Sequence, residues 1–119
     1  MKLAIGSRTG TGVWLLQRAT AVLLAIALPI LVLNFVTAWP LDFHAWRAWL
    51  APLWIRVVLL LTGMALALHA WVGMRDIFMD YLHAIAIRLS MLLVVTAVLA
   101  GSVVWLAVIL FGTSGWSGR

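Results

Sequence analysis

His69 is the one histidine that falls well inside a long apolar run of this chain. An ionisable side chain at bilayer depth is costly to place, so it marks a functional site by default and its partner must be sought. On a helix, the face of His69 takes in Thr62, Ala65, Leu66, Val72, Gly73 and Asp76. Ala65 and Gly73, one turn to either side, are small enough for a flat group to lie against the backbone. An imidazole there can ligate the iron of a haem ring. The same small residues equally suit the close approach of another helix, with His69 hydrogen-bonding across it.

Two further points lie on the same side of the membrane. Arg18 stands four residues after Trp14, about 6 Å below the surface, and His69 precedes Arg75 by a run that puts it about 9 Å below that surface. A haem brings two anionic propionates, and an arginine just shallower than the iron ligand supplies their counter-charge; snorkelling to headgroups is the other use of such an arginine. Asp80 and Tyr81 follow at the water boundary. A phenol beside a carboxylate can hydrogen-bond a quinone carbonyl and supply protons as the quinone is reduced. The plainer alternative makes Tyr81 an interfacial anchor and Asp80 a helix cap or a partner for Arg75 or Arg88. A low-spin b-type haem needs a second axial ligand, and His44 and His83 both fall in connections. That ligand must come from another chain, since Met64 and Met74 are better read as packing.

The elements that hold these residues follow from composition. With 119 residues, 66% of them hydrophobic and only 9% charged, the chain cannot cover a soluble globule with polar surface. It reads as an all-α integral membrane protein. No cysteine is present, which excludes disulfides, thiolate-held iron-sulfur clusters, c-type haem attachment and cysteine-ligated zinc within the chain. Eight Lys/Arg against three Asp give a charge of +5. These basic residues sit singly at segment ends, so anionic lipid headgroups rather than nucleic acid are the expected partner.

Residues 1–12 are polar and glycine-rich and suit a mobile terminus. The apolar run from Val13 to about Val36 is too long for a signal-peptide core and lacks a small-x-small site behind it. It is expected to be a retained transmembrane helix, spanning about 36 Å and kinked or accommodated at Pro29. Residues 38–50 carry Trp39, Trp46 and Trp49, which marks a membrane surface with a short helix along it. Further apolar runs cover about 52–74 and 84–111, separated by a connection over residues 75–83. The expectation is a single membrane-anchor domain over 1–119 with three transmembrane helices. Lys2, Arg8, Arg18, Arg75 and Arg88 fall on one side against Arg47, Arg56 and Arg119 on the other, which places the N-terminus inside.

The string HAWVGMRDIFMDY, with AIRL shortly after it, resembles the hydrophobic membrane anchor subunit of succinate dehydrogenase, the smaller of the two anchor subunits of bacterial respiratory complex II. The RAT at Arg18 to Thr20 is similar to the matching part of that family's first helix. The likeness runs from about Gly12 to Phe111. It implies three helices within a hetero-subunit bundle in the bacterial inner membrane, with the N-terminus cytoplasmic. His69 is implied as an axial ligand of haem b, paired with a histidine of the larger cytochrome b anchor subunit. Arg18 is implied near the haem propionates, and Tyr81, with Asp80 beside it, in the ubiquinone site. The other implied partners are an iron-sulfur subunit and a flavoprotein subunit, and the isolated chain is not expected to oxidise succinate. One departure stands out: where some members have a histidine near the start of the first helix, this chain has Trp14.

Two rival readings share the helices. A fumarate reductase anchor would run in reverse with menaquinone. A small transporter or structural membrane protein would use His69 and Asp76 as a proton relay or packing pair, with no cofactor.

Overall fold

A computed structural model describes residues 2–112, and their side-chain surroundings from Gly10 onward. Four helices follow one another: α1 Lys2–Thr37, α2 Phe43–Leu50, α3 Leu53–Tyr81 and α4 Ile85–Phe111. No strand occurs among the described residues. Three helices are long and apolar enough to cross a membrane, over Gly10–Thr37, Leu53–Tyr81 and Ile85–Phe111. Each is apolar around its whole circumference rather than along one stripe, as a helix in lipid should be. The protein is all-α and multi-pass. The tail from Thr113, with Arg119, lies outside the described residues, as do the side chains of Lys2 and Arg8.

Two boundaries differ from the sequence expectation. The polar start is helical from Lys2, because adding a residue to an existing helix closes a hydrogen bond at little cost once the span has nucleated it. The stretch expected as a connection over 75–83 is mostly helix: α3 runs on through Arg75, Asp76 and Asp80 to Tyr81, leaving Leu82, His83 and Ala84 to turn the chain. Neither Gly nor Pro interrupts Arg75 to Tyr81, so the fall in hydropathy marks where water begins and not where the helix stops. Arg88 fixes the short turn, with Nε and Nη2 donating to Leu82 O at 3.2 and 2.9 Å.

At the other surface α2 starts at Asp42, whose carboxylate accepts from the Ala45 N–H at 2.7 Å. That N-cap satisfies a donor that the first turn leaves open. Leu50, Ile55 and Leu110 form a small core there, with Trp49, Leu59, Leu60 and Leu106 packed against it. Arg56 donates to Ala51 O at 3.2 Å and Leu110 O at 3.4 Å and lies over the Phe111 ring. It ties the starts and ends of three elements together.

α3 is the middle helix and packs against both α1 and α4. On its α4 side, Gly63 lets Leu106 approach so closely that a Cβ at Gly63 would stand 2.5 Å from Leu106 Cδ2, and the Trp71 indole N–H donates to Thr96 Oγ1 at 2.9 Å. His69 faces the other way. It lies two residues from Trp71, about 200° around the helix at 3.6 residues per turn, and meets α1.

The polar site on the middle helix

Thr20 is the α1 residue that meets His69. A threonine inside an apolar helix satisfies its hydroxyl by bonding back to the preceding turn, and Thr20 Oγ1 lies 2.8 Å from Leu16 O and 3.0 Å from Gln17 O. Its side chain is buried, and Oγ1 stands 3.1 Å from His69 Nδ1 across the α1–α3 contact. The imidazole is half-buried, between the buried Ala65 and Val72 on its own helix. No hydrogen bond among the described residues reaches its other nitrogen, Nε2. Gln17, one turn before Thr20, keeps a buried side-chain oxygen with no hydrogen-bond partner among those residues.

The two small residues flanking His69 part company. Ala65 is buried within the chain's own packing, whereas a Cβ added at Gly73 would meet nothing within 4 Å. Open space therefore lies beside the imidazole at Gly73, while the Ala65 position is already used by the helix bundle. The expectation of a flat group against both is corrected to one side.

Arg18 lies two residues before Thr20, hence at nearly the same level as His69 but about 200° around α1. Its side chain is exposed, with the guanidinium 5.4 Å from the Trp14 ring centroid. Asp80 and Tyr81 occupy the last turn of α3, both exposed, Tyr81 at 77%. Arg75 pairs with Asp76 at 3.4 Å and Arg88 with the Leu82 carbonyl, so neither takes Asp80. At 3.6 residues per turn and 1.5 Å per residue, Asp80 falls within about 20° of the His69 face, while Tyr81 is about 120° away and about 18 Å along the axis. One rigid helix thus carries two separate polar positions, an imidazole at depth and a carboxylate-phenol pair at the rim.

His83 is exposed in the α3–α4 turn, and His44 stacks edge-on to Phe43 in α2. Among the described residues no three His, Cys, Asp or Glu side chains converge on a metal position. What the donor set does fit is a single ligating position: an imidazole with Nδ1 engaged by Thr20, no hydrogen-bond partner at Nε2 among the described residues, and open space one turn on at Gly73. Thr20 is the residue that the sequence reading passed over, although it stands in the RAT string that carried the resemblance.

Among the described residues, three spanning helices, the middle one carrying one imidazole at depth, define a small membrane protein with an intramembrane polar site. The family model described as the succinate dehydrogenase/fumarate reductase transmembrane subunit matches residues 2–111, and the chain belongs to that family. It is also similar to the succinate dehydrogenase hydrophobic membrane anchor subunit of Coxiella burnetii (strain RSA 493 / Nine Mile phase I), 32% identical over 99 residues, which cover 83% of this chain and 86% of the relative.

Proposed function

We propose that this chain anchors a succinate:ubiquinone oxidoreductase, respiratory complex II, to the bacterial inner membrane, gives haem b one axial ligand through His69, and forms part of the ubiquinone-reduction site with Tyr81 and Asp80. The observation that carries this reading is the state of His69, which has one ring nitrogen held by Thr20 and no hydrogen-bond partner at the other among the described residues, one turn from open space at Gly73, in a chain of this family. Haem b supplies a one-electron redox centre when bound.

The chain's own residues divide the remaining work. His69 presents a ring nitrogen whose direction the α1–α3 contact sets. A second ligand would come from the larger cytochrome b anchor subunit, since this chain has no other histidine at depth. Arg18, level with His69 but about 200° around α1 from Thr20 and over the Trp14 ring, is the cation this chain offers at that depth for propionate carboxylates. Tyr81 donates its phenol hydrogen to a quinone carbonyl oxygen, and Asp80 beside it passes protons from the water boundary. Quinone reduction to quinol takes two electrons and two protons. The electrons come from succinate by way of the flavoprotein and iron-sulfur partner subunits, which dock on the cytoplasmic side together with the N-terminus.

The test is capture of a tagged copy of this chain in mild detergent from its native membrane. Flavin and haem should copurify and succinate should reduce a soluble ubiquinone. Capture of the chain without a flavoprotein, or a complex inert toward ubiquinone, would contradict the reading.

A further inference from the structure

We infer that Thr20 is a positioning residue for His69: its hydroxyl oxygen accepts the imidazole Nδ1–H, selects that tautomer and leaves Nε2 as the lone-pair nitrogen. The inference rests on the reading of His69 as a haem ligand and concerns how the chain prepares that ligand.

The direction of the hydrogen bond follows from counting hydrogens. A threonine hydroxyl has one hydrogen and two lone pairs, and a neutral imidazole has one N–H and one acceptor nitrogen. Thr20 Oγ1 lies 2.8 and 3.0 Å from the Leu16 and Gln17 carbonyls, which can only accept. Its single hydrogen is committed to its own helix. The contact at 3.1 Å from Oγ1 to His69 Nδ1 then holds only if Nδ1 carries the hydrogen. The opposite tautomer would place the N–H on Nε2, where it has no partner among the described residues and no lone pair to offer a metal.

The chain carries the same arrangement a second time with no ambiguity of direction. Thr96 Oγ1 donates to Leu92 O at 2.7 Å and accepts from Trp71 Nε1 at 2.9 Å, and an indole nitrogen can only donate. Thr20 repeats the back-bonded hydroxyl and the accepting contact from a ring nitrogen of α3. Thr20 is also the better placed of the two to constrain its partner, being 6% exposed within a membrane span, where a polar contact competes with no bulk water.

The consequence is chemical as well as geometric. A ligand imidazole that donates its remote N–H to an acceptor becomes more basic at the ligating nitrogen and is fixed in ring orientation. A more basic axial ligand favours the oxidised iron and lowers the midpoint potential. Thr20 therefore sets both where His69 points and how strongly it donates.

The test is a redox titration of the haem in the purified holo-complex, with haem-to-flavin ratio measured alongside. Thr20→Val removes the hydroxyl at nearly constant volume, and Thr20→Ser keeps it. The valine variant should raise the haem midpoint potential and lower the haem-to-flavin ratio, while the serine variant keeps both at the wild-type level. A valine variant with wild-type potential and full haem would overturn the assignment. Equal displacement in the valine and serine variants would overturn it too, because the methyl group and not the hydroxyl would then matter. Should the valine complex not assemble, Thr20→Ala removes the same hydroxyl without β-branching and is titrated in its place. Absence of haem from the wild-type complex would instead refute the reading of His69 as a ligand, and it is seen before any variant is made.

Discussion

Trp71 on α3 donates its indole N–H to Thr96 on α4 at 2.9 Å, on the side of α3 away from His69. Together with the Thr20 contact at 3.1 Å, this fastens α3 on both flanks at one level of the membrane. A helix held from two sides cannot rotate about its axis without breaking one contact. The direction in which His69 points is therefore coupled to a residue that never touches it.

Trp71→Phe keeps an aromatic ring at that position and removes the donor. Hydrogen bonds between membrane helices contribute about 0.6 kcal/mol on average and up to about 1.7, so the complex should lose haem at a lower temperature without losing its spectrum at rest. Thr96→Val should behave alike, and the double variant should be no worse than either single one, because both remove the same contact. Thermal scans of haem absorbance measure all three.

Gly63 makes a different prediction. A Cβ there runs into the far end of the Leu106 side chain, which can swing aside, and alanine gains about 1 kcal/mol of helix propensity over glycine. Gly63→Ala should leave assembly near wild type, whereas Gly63→Leu should separate α3 from α4 and reduce the amount of complex recovered. Quantifying captured complex per unit membrane distinguishes the two.

Tyr81→Phe deletes one hydroxyl from an exposed side chain with no described internal contact to lose. Folding should be untouched, while ubiquinone reduction should fall by about 100-fold or more if the phenol acts as general acid. Succinate oxidation with an artificial acceptor should stay at the wild-type rate, because it bypasses the quinone position. Wild-type quinone turnover in this variant would remove Tyr81 from the site.

The spans were legible because the apolar runs around Leu24, Leu60 and Leu99 are long and nearly free of charge, which is the whole requirement for crossing lipid. The end of α3 was not. Hydropathy falls at Arg75, but backbone hydrogen bonding continues to Tyr81, and no side chain between them forces a break. His69 was legible as an isolated ionisable group at depth. Its partner was not, since Thr20 lies in another helix and only the packing register brings the two together. Arg18 shows the same gap from the other direction: depth along the chain placed it level with His69, while helical geometry turns it toward a different flank of α1.

The most direct test of the account is the succinate-reduced minus oxidised visible spectrum of the captured complex, compared between wild type and His69→Ala. The account predicts a b-type haem signal in wild type that is lost or shifted in the variant, with flavin still present in both. A wild-type complex that retains flavin but has no haem, or a variant whose haem spectrum matches wild type, would contradict the claim that His69 is the ligand around which this chain is built.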